Sequence, residues 1–322
     1  MAFRKKKFIF LSAFFCFSCF GGLQKYRFHY FAMDTLVEVT LFAKSEKEAK
    51  NAVQELEKEC RRIDSLLSPF KEGSEVRRIN ERQDRSWVTV SHETAMLVQK
   101  ALDYGRETGG AFDITIGPVK WLWGLGSDQT PRKPEVTEIR QKLEHVGYEK
   151  IRVSGDTLFF DDPETRIDLG GIGGGYAGER MKAILESRGI RSYLINDGGD
   201  IVLGDPKPGG EEWLIAIQHP RRPDQSIRKE RLSNTCIVTS GDYERFFIEE
   251  GVRYHHIFDP ATGYPAKGLI SATVVCDDPI RADVYSTTLI AAGNKWGLKP
   301  PPGVKKFIVY DDSLKEFSSL GK

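Results

Sequence analysis

Residues 168–177 read Asp168-Leu169-Gly170-Gly171-Ile172-Gly173-Gly174-Gly175-Tyr176-Ala177. The stretch that leads into it, 165–169, has the look of a strand. The stretch after it, through Leu185, has the spacing of a helix. The glycines between them predict a tight turn from strand into helix. Such a turn exposes backbone N–H groups beside a helix N-terminus, which suits a phosphate. It also suits a helix packing closely on a sheet, and spacing alone leaves both readings open. The stretch is neither a GxxxxGK[ST] loop nor a strict dinucleotide fingerprint.

Around this junction strands and helices are interspersed rather than strictly alternating. Strands are predicted at 28–43, 150–154, 157–160, 192–196, 200–204, 213–218, 236–240, 245–249, 270–276 and 305–310. Helices are predicted at 45–67, 91–108, 136–146 and 281–292, the first capped by Ser45 and the second stopped by Gly109 and Gly110. Residues 68–80 open as a loop and 111–130 form an ordered one. The pattern favours α+β over a doubly wound sheet.

The chain has 322 residues, 40% hydrophobic and 29% charged, with a net charge of +1. These values fit a globular protein with a sizeable core and no nucleic-acid partner. Arg4, Lys5, Lys6 and Lys7 precede an apolar run, Phe8 to Phe20, too short to span a bilayer. Residues 1–22 are therefore an export signal. Cys19, followed by Gly21 and Gly22, resembles a lipoprotein cleavage site, with Cys16 where leucine is usual. Simple cleavage and a retained anchor are the alternatives. Cys60, Cys236 and Cys276 remain after it, odd in number and widely spaced, as core residues rather than a disulfide framework.

Four further stretches can carry chemistry. Asn196-Asp197-Gly198-Gly199-Asp200 has the composition of a hairpin turn. His255-His256 stands next to Ile257 and close to Asp259, and a histidine can serve as base near neutral pH. Asp283 and Thr287 are four apart on a helix, so they share a face and could offer hard oxygens to Mg²⁺. Phe112-Asp113 and the tryptophans at 121 and 123 could hold a flat ring or fill a core.

Taken together, FDITIGPVKWLWG, DLGGIGGGYA, NDGGD, HHIFDPATGYP and DVYSTTLIAAG occur in the order and at about the separations of one family. From Phe31 to Gly293 the chain resembles the ApbE family of FAD:protein FMN transferases, including flavin-trafficking lipoproteins. The resemblance implies an ApbE-like, T-fold-like α+β domain over 28–322, with mixed sheets and flanking helices around a flavin cleft. It implies FAD as substrate and Mg²⁺ at its pyrophosphate. Met33, Phe70, Ala111, Phe112, Asp113, Asp168, Gly174, His256 and Ile257 fall where the family contacts FAD. Gly171, Asp283 and Thr287 fall at its metal, Gly171 through its carbonyl. His256 and Asp283 take the catalytic places. The reaction implied moves FMN to a serine or threonine of an acceptor flavoprotein subunit and releases AMP. The setting implied is a lipid anchor on Cys19 at the periplasmic face of the inner membrane. FAD hydrolysis or FAD storage are the other outcomes such a chain could have.

One position departs from the family. Gly174 stands where a lysine usually reaches the cofactor phosphates, and backbone N–H groups or Lys182 are the replacements the sequence offers.

Overall fold

The computed structural model describes residues 22–126, 129–296 and 302–320. Cys19 and the export signal up to residue 21 lie outside them. The main sheet has eight strands: β1 (Gln24–Ala32), β2 (Thr35–Ala43), β3 (Tyr193–Asp197), β4 (Asp200–Leu203), β5 (Thr235–Gly241), β6 (Leu269–Cys276), β7 (Lys306–Asp311) and β8 (Glu316–Leu320). They are hydrogen-bonded in chain order, and every pairing is antiparallel. The sheet expected to be mixed is thus a meander with long insertions. The expected single strand over 28–43 is a hairpin, turned at Met33 and Asp34, both with positive φ. Left-handed backbone at two successive residues is what a two-residue hairpin needs, and here neither is glycine.

Seven helices accompany the sheet among the described residues: α1 (Glu46–Leu67), α2 (Glu75–Asn80), α3 (His92–Glu107), α4 (Gly117–Leu122), α5 (Val136–Leu143), α6 (Gly170–Ser187) and α7 (Pro279–Ala292). Ser45 caps α1 by accepting the Glu48 N–H, as its sequence predicts. α1, α6 and α7 cover one face, burying Leu56, Cys60, Met181, Tyr285 and Ile290 against Val39, Ile195 and Val274. The other face is covered by the hairpin of Trp213–His219 and Arg222–Leu232, whose Trp213, Ile215 and Ile217 meet Ile237, Val275 and Ile308. β6 is therefore buried along its whole length, which explains its nearly unbroken apolar sequence.

Residues 111–130, expected as an ordered loop, carry α4, and two further expectations fail beside α6. Residues 165–169 form no strand. The segment is extended but bonded by side chains: Asn80 bonds both the N–H and the C=O of Ile167, and Arg82 donates to the Thr165 carbonyl. The glycines that follow are not a turn either. Gly170, Gly171, Gly173, Gly174 and Gly175 all belong to α6. Their bareness serves packing. A Cβ at Gly175 would come within 2.5 Å of the Pro279 carbonyl oxygen and 2.7 Å of Ile280 Cα, so α6 can meet α7 backbone to backbone only without one.

The three cysteines after the signal are free and buried, in keeping with core roles, and Cys236 lies directly opposite Cys276 across β5 and β6.

Candidate active site

At one edge of the main sheet the β1–β2 tip, the β3–β4 turn, the end of β5 and the start of β6 come together with the first turns of α6. The β3–β4 turn is the NDGGD sequence. Gly198 has φ +63° there, and a Cβ on it would meet Thr35 of β2 at 2.5 Å. The predicted hairpin turn is real, and its last residue reaches the helix. A Cβ at Gly174 would stand 2.7 Å from Asp200 Oδ2 and 3.4 Å from Asp283 Oδ2.

α7 brings Asp283 and Thr287 to the same place. Asp283 Oδ2 accepts the Gly175 N–H at 2.8 Å. Thr287 lies beside Gly171, whose Cβ would be 3.6 Å from its Cγ2 and 3.8 Å from its Oγ1. Ser240 at the end of β5 stands 3.3 Å from the Thr287 hydroxyl and 2.8 Å from that of Ser286. The i, i+4 pair and the glycine stretch after Asp168 therefore do meet. The corner is strongly acidic. Burial pushes the Asp197 carboxyl up to about 7, with Asp283 adding to it. Burial and the charges of Asp283 and Asp197 raise Asp200, and burial raises Asp283. Asp197 Oδ1 is buried with no partner.

The opposite corner, at the start of α6, is cationic. Lys120 of α4 donates to Asp168 Oδ2 at 2.8 Å, and Asp168 Oδ1 accepts the Gly170 N–H at 2.8 Å. Burial acts to raise Asp168, but the charge and hydrogen bond of Lys120 and the Gly170 amide hold it below the usual carboxylate range. His256 lies in the same field. Burial first, then Lys120, His255 and Arg245, lower it to about 3. Its Nδ1 is 3.3 Å from the Arg245 carbonyl oxygen. A carbonyl only accepts, so Nδ1 carries the proton and Nε2 keeps its lone pair.

Residues 33–300 match the model of the ApbE family. The chain belongs to the ApbE family. It is 31% identical over 279 residues to the FAD:protein FMN transferase of Vibrio cholerae, covering 84% of each chain. It is 26% identical over 318 residues to that of Treponema pallidum, covering 92% of this chain and 88% of the other. The crystal structure of the ApbE protein of Thermotoga maritima superposes with a TM-score of 0.85 at 33% identity, covering 92% of this chain and 97% of that one.

Among the other residues expected at an ApbE site, Phe112 meets the glycine strip. Phe112 is buried with its ring edge-on to Tyr104, and a Cβ at Gly171 would be 3.2 Å from it. Ala111, half-buried, precedes it, and the Thr108 hydroxyl holds the Phe112 N–H. The Asp113 carboxylate is used internally, accepting from the Thr115 N–H and hydroxyl and from the Tyr148 N–H. Phe70 is exposed and packs edge-on against Trp121, whose ring lies over Gly117 near Asp168. Phe70 and Trp121 border a cavity of about 240 Å³ also lined by Arg77, Asn80 and Arg166. Met33 occupies the left-handed turn of the β1–β2 tip, packed on the main core. Ile257 is buried, its N–H donated to His255 Nδ1.

Sequence reasoning missed two side chains. Asp200 was visible only as turn composition, and Lys120 only as one lysine in an aromatic stretch. Lys182, the replacement considered for a lysine at 174, is in the fourth turn of α6, about 18 Å along the axis from Gly170. It does not serve this site. Among the described residues no three His, Cys, Asp or Glu side chains gather as a metal cluster.

Proposed function

We propose that the chain cleaves FAD and transfers FMN to a serine or threonine hydroxyl of an acceptor protein, with AMP as the other product. What carries this reading is the strip from Gly170 to Gly175, which runs from a cationic corner at Lys120 and Arg245 to an acidic corner at Asp200 and Asp283. A dinucleotide diphosphate with a divalent cation on it is complementary to both ends. The names of the relatives, FAD:protein FMN transferase, support the same activity.

Mg²⁺ is the cation we propose, held by Asp283, Thr287 and the Gly171 carbonyl. All three are hard oxygen donors, and the unpartnered buried oxygen of Asp197 adds negative charge beside them. When bound, the ion offsets charge on the diphosphate. The residues do the rest. Phe70, Phe112 and Met33 are the side chains we assign to the flavin ring. The acceptor hydroxyl oxygen bonds to the flavin-side phosphorus as the phosphorus–oxygen bond to AMP breaks. The hydroxyl proton passes to a base, and His256 Nε2 is unprotonated and free to take it. Burial beside two cations makes His256 a poor base before FAD binds, and the incoming diphosphate offsets Lys120 and Arg245 and so strengthens it.

The test is incubation with FAD, Mg²⁺ and an acceptor peptide, read by mass spectrometry. We expect a gain of one FMN on the peptide and equimolar AMP. Asp283→Ala should abolish both, by a factor of 10² or more, and an unchanged rate would remove Asp283 from the reaction. Gly174 favours a second reading, an FAD carrier without turnover, which predicts bound FAD that stays intact with Mg²⁺. Free FMN and AMP without peptide labelling would mark a pyrophosphatase.

We also propose export and tethering through a lipid on Cys19, facing the periplasm from the inner membrane. Among the described residues no helix is long and apolar enough to cross a membrane. Incorporation of a labelled fatty acid that disappears in Cys19→Ala checks the lipid tether.

A further inference from the structure

Lys120 occupies a bed shaped for it. Its Cε would be 2.7 Å from a Cβ at Gly126, and its Nζ 3.7 Å from one at Gly170. Asp168, which holds it, rests its own Cβ 3.1 Å from the place of a Cβ at Gly117. Three glycines on three segments thus leave room for one ion pair, whose side chains are only 15% and 10% exposed. Gly126 has φ +83° as well, so a side chain there is disfavoured twice over.

The location is unfavourable for a cation unless an anion joins it. Lys120 lies at the start of α6, where the helix dipole is already positive. Among the described residues Asp168 is the one carboxylate bonded to it, and it also takes the Gly170 N–H. Arg245 adds a second positive charge, and its exposed guanidinium has no ion-pair partner among the described residues. Lys120 and Arg245 together exceed the single charge of Asp168, and Glu244 beside Arg245 offsets part of the excess. Gly171, the next residue, already touches Thr287 in the acidic corner. Successive Cα atoms are about 3.8 Å apart, so one diphosphate can reach both.

We propose that Lys120 is the cation that binds the FAD diphosphate in this chain, in place of a side chain at 174, with Asp168 as the positioning residue that aims it. The inference rests on the flavin-transfer reading and locates the phosphate-binding charge on α4, ahead of the glycine stretch. The lost lysine is then a relocation of the charge rather than its absence.

The experiment uses the whole mature protein without metal. FAD affinity is measured by quenching of flavin fluorescence for wild type, Lys120→Met and Lys120→Arg, each checked for folding by circular dichroism. Lys120→Met should weaken FAD by about tenfold or more, and Lys120→Arg should recover most of it. Unchanged affinity in Lys120→Met, or Lys120→Arg as weak as Lys120→Met, overturns the proposal. Wild type that binds no FAD would instead sink the flavin reading itself, before any variant is compared. A second measurement needs no variant. FAD should protect Lys120 from acetylation by acetic anhydride, as read by peptide mass spectrometry, and AMP should protect it in part. Equal labelling with and without FAD overturns the assignment even if Lys120→Met does not fold.

Discussion

Gly174 faces two carboxylates, and its contacts forecast what a side chain there would do. An added Cβ would press on Asp200 Oδ2 at 2.7 Å. That atom ends a flexible side chain with no hydrogen bond among the described residues, so it can rotate away. The rest of a lysine would then pass between Asp200 and Asp283, both raised by burial. Gly174→Lys should therefore fold, gain up to about 1 kcal/mol of helix propensity, and raise FMN transfer by up to about tenfold. Rate and melting temperature measured on the same preparation decide it. A more stable variant with slower transfer would mean that the new ammonium competes with the cation for Asp283.

At the scale of elements, the contact of α6 with α7 is what aligns Gly171 and Gly175 with Thr287 and Asp283. Gly175 is the closest point, and the atoms it would meet are backbone, which cannot rotate aside. Gly173, two residues earlier in the same helix, has nothing within 4 Å of its would-be Cβ. Gly175→Ala should cost about 1–3 kcal/mol by overpacking, whereas Gly173→Ala should gain up to about 1 kcal/mol from propensity. Thermal melts of the two variants should move in opposite directions; a stabilised Gly175→Ala would show that the helices are not held in contact. The same glycines explain why α6 was only partly legible. Glycine runs argue for a turn by local propensity, and the contact with Pro279 and Ile280 overrides it. α1 was legible because its apolar and capping residues follow the helical period without such conflict. The strand Arg222–Leu232 has little alternation to detect, since most of it is exposed and held by pairing with Trp213–His219. In the site, Asp283 and Thr287 were readable from i, i+4 spacing. Lys120 and Asp200 were not, because their roles arise only when α4 and the β3–β4 turn converge on α6.

For the molecule as a whole, the site stores electrostatic cost at the sheet edge. Asp197 closes β3 on its buried face, next to Tyr30, Cys60 and Asp283. Its carboxyl is raised from an ordinary 3.8 to about 7. Between those values the folded chain holds a proton that the unfolded chain has released. The stability this group contributes is full below about pH 4 and is lost as pH rises through 7, by about 1.4 kcal/mol per pH unit at most. His255 and His256, both lowered, act in the opposite sense: they favour the fold increasingly as pH rises toward 6.5. A melt of the wild type alone would mix the two. The comparison with Asp197→Asn removes one and keeps the other. Without metal, Asp197→Asn should melt close to wild type at pH 4 or just below and several degrees above it at pH 8. Added Mg²⁺ should narrow that gap at pH 8, because a cation near Asp283 relieves the same repulsion and binds the folded chain. A gap that stays constant from pH 5 to 8 would mean that Asp197 is ionised throughout, and that the acidic corner is wetter than its burial indicates.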